Sequence, residues 1–135
     1  MTTSKITYLG DLRTKSIHLQ SGSELINDAP VDNHGKGEAF SPTDLVANSL
    51  ATCMLTTMGI KADNMGISIV GSEAEVIKTM RSEPRQISKI EVTLRMKGTG
   101  FDMKVKNILE RTAMTCPVFL SLHPEIEKIV NFNWE

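Results

Sequence analysis

Between Asp44 and Lys61 the chain carries no charged side chain, and one cysteine, Cys53, sits in the middle of that stretch. No other feature limits the fold as strongly, because a charge-free run of this length has to be buried. Its start is visible in the sequence. Ser41 and Asp44 have the Ser-x-x-Asp spacing of a capping box, and Pro42 suits the first helical position, where an amide hydrogen has no helical partner. Leu45, Val46, Ala47, Leu50, Ala51, Met54, Leu55, Met58 and Ile60 surround the helix axis, interrupted only by small polar residues. That pattern predicts a helix over Ser41 to Lys61 that is buried on all sides. The run falls short of the roughly 18 to 20 apolar residues of a membrane span and holds too many hydroxyls, so a core helix is expected.

A length of 135 residues suits one domain, 1–135. Fifteen basic and sixteen acidic side chains lie interspersed and nearly cancel, which leaves no electrostatic footprint for nucleic acid or an anionic membrane. The first residues, MTTSKITYLGDLRTK, lack the apolar centre of a signal peptide, so the chain is expected in the cytoplasm. Two cysteines in that compartment are normally reduced, and a disulfide between them is transient and catalytic more often than structural. Aromatic residues are scarce, and eight methionines join Ile, Val and Leu in supplying the core.

Along the chain, Ile6 to Leu9, Ser16 to Gln20 and Glu24 to Asn27 are short runs of imperfect alternation, separated by Gly10-Asp11 and Ser21-Gly22-Ser23. They predict an antiparallel meander. Pro30 to Phe40 is a polar, glycine-bearing loop that delivers the chain to the capped helix. Beyond the helix, Ile67 to Met80 reads as a long strand with a bulge at Gly71, and Arg81 to Arg85 as a hairpin loop. Ile90, Val92, Leu94 and Met96 alternate with Glu91, Thr93, Arg95 and Lys97, the clearest strand in the chain. Phe101 to Thr112 has helical spacing, Pro117 opens a short helical turn, and Ile129 to Trp134 is a final strand. Strands, helix, strands, helices, strand in that order describe an α+β fold. One small sheet covers one side of an all-apolar helix, so a second copy of the chain is expected on the other side, in an intimate homodimer.

Cys116 precedes Pro117 and so falls at the N-cap of the short helix, where backbone amides favour a thiolate. Cys53 lies mid-helix among apolar residues, which by itself raises a thiol pKa, so a reactive Cys53 needs a cation beside it. Two thiols of unlike environment are equipment for reducing a peroxide: one becomes a sulfenic acid and the other condenses with it to a disulfide. The bland alternative is two inert core thiols, since free cysteine is among the most buried residue types. No metal site is expected, because Cys53, Cys116, His34 and His123 lack paired zinc-ligand spacing. His18 and His123 read as solvated or helix-ending residues.

Ser41-Pro42-Thr43-Asp44-Leu45, Ala51-Thr52-Cys53 and Thr115-Cys116-Pro117-Val118, in this order across nearly the whole chain, resemble the osmotically inducible protein C (OsmC) family and its relatives, the organic hydroperoxide resistance proteins. The resemblance implies an OsmC-like α+β fold, with antiparallel sheets around a buried central helix in an interlocked homodimer. It also implies a thiol peroxidase without a cofactor. In that scheme Cys53 is the peroxidatic thiol, Cys116 the resolving thiol, organic hydroperoxides the substrates and an external dithiol the reductant. The family's peroxidases add an arginine from the N-terminal strands, for which Arg13 is the best match, and a glutamate directly after the helix proline. This chain has Thr43 there. Asp44, one residue later, points away from Cys53 at about 100° per residue and reads as a cap, leaving Glu38 in the preceding loop as the carboxylate to hold Arg13. The missing glutamate motivates an alternative, a non-catalytic dimer binding an apolar or acyl ligand.

Overall fold

The computed structural model describes all residues, 1–135. They form two compact units, Met1–Val46 and Ala47–Glu135. In the first, β1 (Ser4–Gly10), β2 (Arg13–His18) and β3 (Glu24–Asp28) make the expected antiparallel meander in the order β1-β2-β3. Asp11 and Leu12 both take left-handed φ, 54° and 62°, as a tight turn between twisted strands requires. Leucine gains nothing from that conformation, and the turn is fastened from two sides: the Leu12 amide donates to the Tyr8 hydroxyl, and the Leu12 carbonyl accepts from the Ala29 amide. Pro30 to Phe40 is a loop with a single 3-10 turn at Val31–Asn33.

Helix α1 spans Pro42–Asn64 and begins on the predicted capping box. The Ser41 Oγ accepts from the Asp44 amide at 3.0 Å while the Asp44 carboxylate accepts from the Ser41 amide at 3.0 Å, so two donors that the helix leaves unpaired satisfy each other's cap. The expectation of burial on all sides is corrected within this chain. Ala47, Leu50, Ala51, Met54, Met58 and Ala62 form one buried stripe, whereas Val46, Thr52, Thr56 and Ile60 on the opposite face are exposed. The physical reason is coverage: one sheet and one helix layer cover one side of α1.

In the second unit β4 (Glu73–Arg81) and β5 (Gln86–Met96) are antiparallel, and β6 (Glu127–Trp134) runs parallel to β5 at the far side, making this sheet mixed. The predicted strand from Ile67 is shortened. Residues 67 to 72 are irregular, with the Ser72 amide bonded to the Ile69 carbonyl and Gly71 at φ 92°, and the bulge falls between Thr79 and Met80 instead. On β5, Ile90, Val92, Leu94 and Met96 are wholly buried, as the period-two pattern requires. They meet the α1 stripe together with Leu109 and Ala113 of α2 (Met103–Ala113). Asp102 caps α2, its carboxylate accepting from the Val105 amide at 2.9 Å. A short α3 (Pro117–Ser121) follows.

Candidate functional site

Arg13 is the first residue of β2 and Asp28 the last of β3, directly opposite it in the antiparallel register. The guanidinium donates from Nε to Asp28 Oδ1 at 2.7 Å and from Nη2 to Oδ2 at 2.8 Å, a two-pronged grip that fixes its plane. The Asp28 side chain is 1% exposed. Its Oδ2 also accepts the Glu38 amide at 3.2 Å, which ties the 30–40 loop to the same carboxylate. The Arg13 hydrogen bond, ahead of the cost of burial, holds the Asp28 carboxyl below its ordinary value, and the same bond raises Arg13. Glu38, the expected anchor, does approach Arg13, but at 3.4 Å from an exposed position, so the tight anchor is Asp28. Sequence reasoning missed it. Counting outward from the Ser21-Gly22-Ser23 turn would bring residue 28 opposite residue 16; the register that forms pairs Ile17 with Glu24 and so Arg13 with Asp28.

Around this pair the loop is closely seated. Asn27 donates from its side chain to the Phe40 carbonyl at 2.9 Å, and the Asp28 amide donates to the same carbonyl at 3.2 Å. A Cβ on Gly35 would lie 1.8 Å from the Ala29 carbonyl oxygen, so only glycine allows the loop to close there.

The two cysteines lie in the second unit and are both reduced. Cys53 is half-buried on α1, and its carbonyl accepts from the Thr57 hydroxyl at 3.0 Å. Cys116 is 1% exposed and is the N-cap of α3, its Sγ accepting from the Phe119 amide at 3.4 Å. Cys53 is one of the groups that acts on it. The N-cap geometry is as expected but its electrostatic consequence is not. Burial pushes the Cys116 thiol above its ordinary 9.0, the Phe119 amide opposes this only in part, and Cys53 raises it further. Losing water disfavours the Cys116 thiolate by more than the Phe119 and Val118 amides favour it.

The structure therefore brings together Arg13, Asp28 and Glu38 in one unit and Cys53 with Cys116 in the other. Ser41 and Thr43 hydroxyls lie 3.3 Å apart at the start of α1. His18 shares a hydrogen bond with Ser21, and the His123 ring accepts from the Glu125 amide just after α3, consistent with a helix-ending residue. No three His, Cys, Asp or Glu side chains are grouped to hold a metal ion. No helix is long and apolar enough to cross a membrane.

The family model described as OsmC-like protein matches residues 35–130. Among solved structures, a Psychrobacter arcticus protein proposed to be an osmotic stress induced and detoxification response protein is 56% identical. It covers 98% of this chain and 96% of its own, with a TM-score of 0.94. An OsmC-like protein from Mycoplasma pneumoniae is 17% identical over 97% of this chain and 94% of its own, with a TM-score of 0.79. An organic hydroperoxide resistance protein OsmC from Legionella pneumophila is 18% identical over 98% of each chain, with a TM-score of 0.71. These last two share the fold. Comparison with curated proteins finds no match. Matched over most of its length by the family model and over nearly all of it by a relative with more than half its residues identical, the chain belongs to the OsmC-like protein family.

Proposed function

We propose that the protein is a cytoplasmic, homodimeric thiol peroxidase that reduces organic hydroperoxides. The observation that carries this reading is that Cys53 and Cys116 are two reduced thiols of unequal exposure, near enough for Cys53 to raise the Cys116 thiol. Family membership supports it, as does the organic hydroperoxide resistance named for the Legionella pneumophila relative of the same fold. The Cys53 thiolate attacks the terminal oxygen of ROOH and breaks the O–O bond, giving Cys53 sulfenic acid and an alkoxide that is protonated to ROH. Cys116 then attacks the Cys53 sulfur, a disulfide forms and water leaves. An external dithiol restores both thiols. We assign to Arg13 the positive charge that a thiolate in apolar surroundings requires, with Asp28 and Glu38 as the carboxylates that hold it. The alternative, a non-catalytic dimer binding an apolar or acyl ligand, rested on Thr43 replacing a glutamate; against it, Asp28 supplies Arg13 with a carboxylate partner.

The dimer belongs to the same proposal. Ile6, Tyr8 and Leu9 on β1 are exposed, as are Val46 and Ile60 on the free face of α1, and a second copy of the chain would cover them.

Cumene hydroperoxide should consume both thiols of each chain and release cumyl alcohol, and Cys53→Ala should abolish the loss. Thiols left intact by excess hydroperoxide would reject the reading.

A further inference from the structure

β6 runs parallel to β5 with Lys128 opposite Ile90, Val130 opposite Val92, Phe132 opposite Leu94 and Trp134 opposite Met96. Residues paired in register point to the same face of a sheet, and these four β5 residues are wholly buried. Lys128 therefore heads an inward row that continues as Val130, Phe132 and Trp134, all packed against the core. A lysine at an inward position breaks the pattern by which a strand buries one face, and such breaks concentrate where a chain serves something other than stability. The Lys128 ammonium pairs with no carboxylate, whereas those of Lys89 and Lys97 pair with Glu91 and Glu135. It donates instead to the Ile126 carbonyl at 3.1 Å and lies 5.3 Å from the centroid of the Phe119 ring, within the range of a cation–π contact.

Phe119 in turn holds the second thiol. Its amide donates to Cys116 Sγ at 3.4 Å from inside α3, whose five residues are too few to keep a helix in place without outside contacts. The backbone of Phe119 thus faces the resolving sulfur while its ring lies under the ammonium of β6. We propose that Lys128 is a positioning residue for Cys116, clamping the Phe119 ring so that the Phe119 amide stays on the sulfur; the inference rests on the peroxidase reading, which gives Cys116 its task. That amide favours the thiolate, and the thiolate is the species that attacks the Cys53 sulfenic acid. The S–S bond forms as the S–O bond breaks, and the hydroxide that leaves takes the proton Cys116 gave up and becomes water. A loosened Phe119 leaves burial less opposed, so Cys116 deprotonates less readily and the sulfenic acid waits longer for its partner. Lys128 acts through the ring, not through its own charge.

The test reads the reduced, full-length protein, isotope-labelled at the cysteine Cβ, whose carbon shifts report each thiol separately through a pH titration. Lys128→Leu keeps an apolar side chain on the inward row. Its Cys116 thiolate fraction at a fixed pH should fall about two- to five-fold, the worth of a part-exposed cation–π contact. Phe119→Leu should lower it alike, Lys128→Arg should preserve it, and adding Lys128→Leu to Phe119→Leu should change nothing further. With cumene hydroperoxide, closure of the disulfide should slow by the same factor in Lys128→Leu while the first attack by Cys53 keeps its rate. An unaltered Cys116 titration in Lys128→Leu would overturn the proposal. So would a further fall in the double variant, because the lysine charge would then act on the thiol directly. Failure of the peroxidase reading is separately visible, as thiols untouched by hydroperoxide in a protein whose Cys116 titration still follows Lys128.

Discussion

Arg13 and Asp28 face each other across paired strands and are joined by two hydrogen bonds of 2.7 and 2.8 Å, with the carboxylate almost wholly out of water. Each removes the other's need for solvent, so neither is tolerable alone in this place. Since Asp28 is held below its ordinary value of 3.8, it stabilises the fold above that pH, and the contribution is lost as pH falls through the depressed value. Stability should decline below pH 3.8, and Asp28→Asn should flatten this acid limb while lowering stability at neutral pH. Urea midpoints collected at a series of pH values would check it; an unchanged acid slope in the variant counts against the pair.

Accessibility and protonation together make the two thiols kinetically distinct. Burial disfavours the Cys116 thiolate and also shields its sulfur. Iodoacetamide at mildly alkaline pH should alkylate Cys53 many times faster than Cys116, and urea should erase the difference. Equal rates in the native protein would contradict the buried placement of Cys116.

The reciprocal cap at the start of α1 has a defined worth. Ser41→Ala removes the acceptor of the Asp44 amide and should cost about 1 kcal/mol in chemical denaturation, whereas Ser41→Thr keeps the oxygen and should cost less. No difference between the two variants would mean that the cap contributes little.

Gly98 lies against the only tryptophan, and a Cβ there would sit 2.4 Å from Trp134 Cε3 and 3.0 Å from Phe101 Cδ2. Both rings belong to a packed edge-to-face pair with centroids 6.3 Å apart, and the indole also donates to Glu110 at 3.1 Å, so neither yields easily. Gly98→Ala should destabilise by about 1–3 kcal/mol and shift the tryptophan emission. A wild-type melting temperature with unchanged emission would show that the rings give way freely.

The proposed dimer predicts a scattering mass twice that of the 14.9 kDa chain. Placing a charge on the free face of α1, as in Ile60→Lys, should weaken association while leaving the buried stripe of the helix untouched. A stable monomer in the unaltered protein would refute the assembly.

Much of this protein is already determined by local sequence. The Ser41–Asp44 cap, the alternation of Ile90 to Met96 and the Pro117 helix start each depend on neighbours within a few residues, where backbone hydrogen bonding and side-chain period leave few choices. Burial of α1 was legible as a requirement, since charge-free helices need cover, but which stripe this chain buries was decided by where the second sheet and α2 dock. Ile67 to Ser72 has the composition of a strand and lacks a partner strand, so tertiary pairing overrode propensity. The anchor of Arg13 lies fifteen residues away and is set by hairpin register, a long-range quantity that a helix-start motif could not reveal. The upward shift of Cys116 likewise belongs to the folded core: its N-cap position is written in Cys-Pro, but the loss of water that outweighs the cap exists only once the fold buries it.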